Sequence, residues 1–114
     1  MKVHVYILCY NEEVVISHTI EHYRRNFSDC EFTIYDNKST DESRNIAKDL
    51  SCNIIEWESN NEIDDYKYKD IKNTCWKEQK EGWAIVIDMD EWLAVNDEIL
   101  KKEEENDVTI LKVK

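Results

Sequence analysis

The chain has no proline and a single glycine, Gly82. One glycine cannot build a G-x-G-x-x-G fingerprint or a P-loop, so a nucleotide bound here is held by other means. Four cysteines occur, Cys9, Cys30, Cys52 and Cys75, with no C-x-x-C pair. That spacing argues against a disulfide framework or a structural zinc site and favours buried thiols in a reducing compartment. Basic residues are outnumbered, 15 against 26 acidic ones, which leaves a net charge of -11. A nucleic acid or an anionic membrane would need a basic face that such a chain lacks. A phosphate-bearing ligand would have to meet positive charge inside its own site, and a divalent cation would supply it. No apolar run approaches the length of a membrane span. The run Val3–Cys9 lacks the full pattern of a signal peptide and leads straight into acidic residues. We therefore expect a soluble, cytoplasmic protein without a transmembrane segment.

The sequence itself, 114 residues with 41% hydrophobic content, suits one domain spanning 1–114 around one core. Val3–Cys9 is β-branched and aromatic, and reads as a buried strand. A helix follows with Ile16, Ile20, Tyr23 and Phe27 on one face. Glu12 and Glu13 are expected to open it and Arg24 and Arg25 to close it, as the helix dipole prefers. Glu31–Tyr35 reads as a second strand ending at Asp36. Ser39 and Glu42 form a capping-box pattern ahead of a helix that buries Ile46, Ala47 and Leu50. Asn53–Trp57 is a third strand and 58–61 a loop. Asp64 or Asp65 caps a helix bearing Tyr68, Ile71 and Cys75. Gly82 falls where that helix should stop. Trp83–Ile87 is a fourth strand ending at Asp88, and Val108–Val113 a further one after the charged run 101–107.

Strands alternating with helices predict an α/β fold, a mostly parallel sheet with helices on both faces. Ligands of such sheets bind outside the carboxyl ends of the strands. Tyr10–Asn11, Asp36–Asn37 and Asp88–Asp90 each follow an apolar strand, so three polar clusters should share one crevice. In extended backbone Asp88 and Asp90 project to the same side. Two carboxylates with open positions suit Mg²⁺ or Mn²⁺, which fill the rest of their shells with water and phosphate oxygens. Asp36 and Asn37 have the polarity to bind a base or ribose, and equally the chemistry of a turn. Tyr10 is either a stacking surface for a base or part of a loop entering a helix.

Cys9-Tyr10-Asn11-Glu12-Glu13, then Ile34-Tyr35-Asp36-Asn37-Lys38-Ser39-Thr40-Asp41, then Asp88-Met89-Asp90-Glu91-Trp92 resemble, in order and spacing, the GT-A glycosyltransferases of the family-2 type. Asn61-Glu62-Ile63-Asp64-Asp65, with Lys72-Asn73 and Trp76-Lys77, resembles a subgroup of that family. The resemblance implies the Rossmann-like, nucleotide-sugar-binding half of the GT-A fold and transfer of a sugar from a nucleotide-sugar donor to an acceptor hydroxyl. It implies that Tyr10 and Asn11 line the nucleotide pocket and that Asp36 and Asn37 stand at the base. Asp88 would lie near ribose and metal, Asp90 would ligate the Mn²⁺ or Mg²⁺ that holds the diphosphate, and Lys72 and Asn73 would reach the donor. Asn37 and Lys38 stand where the family pattern has an acid and a glycine. Few residues follow Trp92, whereas the family carries its acceptor site and catalytic base in a longer C-terminal half. The expectation is a truncated domain, one completed by a partner chain or a second copy, or a donor-binding remnant, and no general base is named.

Three other readings compete. His18-Thr19-Ile20-Glu21-His22 matches H-x-x-E-H, a zinc-peptidase pattern, but the core claims Ile20 and leaves the histidines on an outer face. A receiver-type signalling module needs an aspartate after its third strand, where this chain has Glu56-Trp57-Glu58. Trp57, Trp76, Trp83 and Trp92 could form a carbohydrate-stacking surface, although core or half-buried cover is the commoner fate of such residues. Only Trp92, next to the acidic cluster, invites a test of that role.

Overall fold

In the computed structural model, residues 2–57, 65–77, 79, 82–90, 92, 96–98 and 110–112 are described, with backbone alone for 65–69 and 110–112. The apolar opening run forms β1, Val3–Cys9. It lies between β2, Cys30–Asp36, and β4, Trp83–Asp88. β3, Asn53–Glu56, continues the sheet beyond β2, and β5, Ile110–Lys112, beyond β4. The described strands run β3-β2-β1-β4-β5, and every pairing is parallel. Three helices connect them among the described residues: α1, Ile16–Asn26, α2, Ser43–Asp49, and α3, Asp65–Thr74.

Period-two alternation assigns the two faces of the sheet. Val3, Val5, Ile7 and Cys9 of β1, with Phe32, Ile34, Trp83, Ile85 and Ile87, pack against Ile16, Ile20 and Tyr23 from α1, Phe27 at its C-cap and Ala47 from α2. The other face carries Tyr6, Ala84 and Val86, covered by Tyr35 and by Cys75 and Trp76 just beyond α3. α1 and α2 therefore share one face and α3 takes the opposite one. Chain direction explains this: β1 to β3 advance one way across the sheet, and β4 returns to the other side of β1. Right-handed crossovers in opposite directions place their helices on opposite faces. The gap between β1 and β4 is thus the topological switch point.

Three local expectations change. α1 begins at Ile16, not at the glutamates, and has no acidic residue in its first turn. The Glu12 carbonyl instead accepts from the Val15 and Ile16 amides (3.1 and 3.0 Å), so 12–15 form a turn. Arg24 and Arg25 do occupy the last turn of α1, and the Arg24 guanidinium donates to the Leu50 carbonyl and lies over the Phe32 ring. The capping box at Ser39 and Glu42 is not formed: α2 starts at Ser43, and Glu42 makes no side-chain cap bond. Asp41 takes the role, accepting from the Ser43 amide and hydroxyl at 2.9 and 2.6 Å. Gly82 does not stop a helix, because α3 ends at Thr74.

Gly82 is required for a different reason. Its φ is +79°, and a Cβ placed there would fall 2.2 Å from the Lys2 carbonyl oxygen. The next amide, Trp83, donates to that same oxygen at 2.9 Å. Close approach of the two backbones starts β4 in register with β1, Val3 beside Trp83. Gln79 secures the approach to β4, accepting from the Tyr6 hydroxyl (2.8 Å) and donating to the Trp83 carbonyl (2.9 Å).

The cysteines sit in or against the core, with Cys9 buried and Cys30, Cys52 and Cys75 half-buried. Burial pushes the thiols of Cys9 and Cys52 up to about 11 and that of Cys30 to about 12. They are protonated at neutral pH and behave as small apolar groups. Among the described residues, no helix is long and apolar enough to cross a membrane. The charged run 101–107 and the loop 58–61 lie outside the described residues, as does the side chain of Tyr68.

Replacing Gly82 by alanine combines a left-handed backbone with a backbone clash, and is expected to cost about 2–3 kcal/mol of stability. Urea denaturation of Gly82→Ala measures this directly. A loss below about 0.5 kcal/mol, the range of an ordinary surface substitution, would mean that the N-terminal backbone moves aside freely.

Candidate functional site at the carboxyl edge of the sheet

Register decides what reaches the cleft. Cys9 of β1 is paired with Asp36 of β2, and Leu8 with Asp88 of β4. The two aspartates therefore flank the end of β1, about 10 Å apart by strand spacing. Paired residues in a parallel sheet face the same side, and Cys9 and Leu8, being consecutive, face opposite sides. Asp36 thus points toward α1 and α2, and Asp88 toward α3.

Asp36 is fully buried. One carboxylate oxygen accepts from the Ser39 amide at 3.0 Å, the other from the Ser39 hydroxyl, and Arg44 Nε stands 3.6 Å away. This demand explains why Ser39 is not a helix cap. A buried carboxylate needs donors, and the turn 37–39 is bent back to supply them. Asn11 does similar work between loops. Its backbone sits at φ +50°, its amide donates to Ser39 Oγ (2.9 Å), and its Oδ1 accepts from the Thr40 amide (2.7 Å) and the Asp41 amide (3.3 Å). The Glu12 amide donates to Ser43 Oγ and the Glu13 amide to Asp41 Oδ2. The β1–α1 and β2–α2 loops are consequently one hydrogen-bonded unit. Lys38 lies in it at φ +47°, the position where the family pattern has glycine and a left-handed backbone favours one.

A cleft of ≈ 310 Å³ opens at the switch point, lined by Leu8, Cys9, Tyr10, Glu12, Asn37, Trp57, Asp88, Met89 and Asp90. Of the residues singled out in the sequence, Tyr10, Asn37, Asp88 and Asp90 reach this cleft. Asp36 and Asn11 are not among its lining residues; they hold the loops that form its rim. Lys72, on α3, joins the site through Asp88, with Nζ 3.2 Å from Oδ2 and only 17% of its side chain exposed. Asn73 is exposed on the same helix. The strand ends at Asp88, and Met89 and Asp90 lie in a turn, so extended-strand parity is not what brings Asp88 and Asp90 to one cleft.

Two further lining residues come from positions the sequence reads otherwise, Trp57 as half-buried cover and Glu12 as the start of a helix. Trp57 follows β3 directly, donates its backbone amide to the Asp36 carbonyl (2.9 Å) and its indole N–H to the Tyr35 carbonyl (3.3 Å), and is half-buried. The rule that ligands bind beyond carboxyl ends of strands applied to it as well. Glu12 stands at the turn ahead of α1. Its carboxyl is held above the ordinary range by burial first, then by the charges of Asp90 and Asp41. Glu12 and Asp90 are therefore mutually repulsive at the cleft.

Trp92 is exposed to 51% but belongs to α1 rather than to the cleft lining: its ring stacks on His22 at 5.4 Å, and Nε1 donates to Thr19 Oγ1 at 2.9 Å. That stacking occupies one histidine of the H-x-x-E-H pattern, and His18 is exposed. Among the described residues, no three histidine, cysteine or acidic side chains come together to hold a metal ion. Asp88 and Asp90 make at most an open, two-carboxylate site. That donor set fits a hard cation whose remaining positions come from phosphate and water. Glu91 and the segment 61–64 lie outside the described residues.

A parallel α/β sheet with a cleft at its switch point is the ligand-binding arrangement of the open α/β folds. The family model described as Glycosyl transferase family 2 matches residues 4–101, and the chain belongs to this family. No curated protein and no solved structure matches the chain.

The raised Glu12 carboxyl sets a pH test. The folded state holds this proton more tightly than the unfolded state. The favourable contribution is complete below the unfolded pKa and is lost as pH rises through the folded one. Glu12→Gln should therefore melt at a higher temperature than the parent at pH 7. The difference should shrink as pH falls from the raised folded value toward the ordinary glutamate value of about 4.3, and vanish below it. A gain that is constant across pH would assign the effect to something other than charge.

Proposed function

We propose that the chain binds a nucleotide-sugar donor in this cleft with Mn²⁺ or Mg²⁺ and serves sugar transfer to an acceptor hydroxyl. The observation that carries the reading is the meeting, at one switch-point cleft, of aromatic walls with Asp88 at the end of β4 and Asp90 in the turn after it. Tyr10 and Trp57 offer flat apolar surfaces for a base, and Asn37 offers both donors and an acceptor for base or ribose edges. Asp88 and Asp90 would hold the cation. When bound, it supplies positive charge against the diphosphate leaving group. Lys72 brings a positive charge to the edge of the cleft through Asp88. Paired with Asp88, it is placed to turn to phosphate oxygens as they enter. Asp36 and Asn11 contribute by rigidity, since the loops they fasten carry Tyr10 and Asn37.

Family membership supports transfer chemistry in general. The donor, the acceptor and the use of metal rest on the cleft's composition alone. We assign deprotonation of the acceptor hydroxyl to no residue of this chain. A donor-binding subunit completed by another chain or a second copy is the alternative form of the same reading. A soluble, cytoplasmic setting agrees with the acidic surface and the protonated thiols.

Calorimetric titration of UDP, GDP and dTDP, each with and without Mn²⁺, tests the proposal. Binding should require the metal, and Asp90→Asn should weaken it by at least about tenfold. Metal-independent binding, or binding indifferent to Asp90→Asn, would remove the cation from the reading. No binding of any nucleotide by folded protein would overturn the donor site.

A further inference from the structure

Met89 separates Asp88, the last residue of β4, from Asp90, and its side chain is buried in the main core. Its carbonyl accepts a hydrogen bond of 2.7 Å from Thr19 Oγ1, on α1. The same hydroxyl oxygen accepts from Trp92 Nε1 at 2.9 Å. Thr19 is fully buried, and its bond to the Met89 carbonyl is shielded from water. A threonine within a helix usually returns its hydroxyl to a carbonyl one turn back. Here the hydroxyl leaves its own helix and bonds on both sides of Asp90, donating to residue 89 and accepting from residue 92. His22, three residues on along α1, stacks on the Trp92 ring. The segment that presents Asp90 is thus clasped to α1 at its two ends, independently of the sheet.

We propose that Thr19 is a positioning residue for Asp90: the clasp sets where the Asp90 carboxylate stands in the cleft before any ligand arrives. The proposal rests on the metal-assisted donor reading above. Its physical basis is that Met89 and Asp90 lie in a turn beyond the last sheet residue, where the strand ladder no longer constrains them. A carboxylate in such a turn needs a second support if two ligands are to be presented at fixed separation, and supports of this kind govern metal affinity. A simple packing role would be met equally by valine, which has the same shape without the hydroxyl.

The test compares Thr19→Val and Thr19→Ser with the parent in two measurements. The first is the Trp92 indole N–H resonance and its exchange with water, identified by its absence in Trp92→Phe. In Thr19→Val this proton should shift and exchange faster, and in Thr19→Ser it should return toward the parent position. The second is calorimetric titration of UDP with Mn²⁺. Thr19→Val should weaken metal-dependent binding by about 10- to 100-fold, and Thr19→Ser should recover most of it. An indole signal unchanged in Thr19→Val would overturn the clasp. A changed signal with unaltered metal-dependent binding would overturn the positioning role and leave a structural bond. Parent protein that fails to bind UDP with Mn²⁺ would overturn the donor reading, and with it the positioning role, while the indole signal still decides the clasp.

Discussion

The hydrogen bonding of β1 to β2 on one side and β4 on the other controls where every polar group at the cleft can go. Because β1 is the central strand, every residue in it but the half-buried His4 is buried, and it carries no Asp, Glu, Lys or Arg. Its register with both neighbours brings the ends of three strands level. Its pleat then divides the two aspartates, Asp36 to the α1–α2 side and Asp88 to the α3 side. A shift of one residue in either pairing would exchange those faces. It would put a carboxylate into the main core on one side, or withdraw the cleft acid on the other. The Gly82–Lys2 backbone contact matters for the same reason, since it is where the β1–β4 register begins.

Electrostatics at the cleft follow from that division. Asp36, buried and supplied with donors by Ser39 and a nearby guanidinium from Arg44, stabilises the loop that it ends. Asp88 is balanced by Lys72, whereas Glu12 and Asp90 oppose each other within an already acidic chain. A cleft so charged favours a ligand that brings a cation with it. The interloop bonds from Asn11 and the clasp from Thr19 both keep repelling groups where they stand instead of letting them relax apart.

Much of this was legible in the sequence, for identifiable reasons. The ends of β1, β2 and β4 were marked by an abrupt change from apolar residues to Asn or Asp, and the structure places them as expected. The inner face of α1 was written by Ile16, Ile20, Tyr23 and Phe27. The helix starts were less legible because their polar residues have several possible partners. Ser39 has the local chemistry of a cap, but a buried carboxylate three residues earlier competes for it. Glu12 and Glu13 look like dipole partners, yet their amides are committed to α2's loop. Trp57 could have been placed in the site from its position after β3. Thr19 could not: a threonine on the buried side of a helix leaves no sign of a partner seventy positions away.

By itself the sequence determined the fold class, the polar clusters at the carboxyl edge of the sheet, the exclusion of glycine-rich phosphate loops, and the family resemblance. Each follows from residue type and local spacing, which periodicity and turn chemistry make readable along the chain. Only tertiary structure decided which aspartate enters the cleft, which asparagine serves as a clamp, how Lys72 meets Asp88 and what holds Asp90. Those outcomes depend on strand register and helix side, and both are set by packing between segments far apart in the chain.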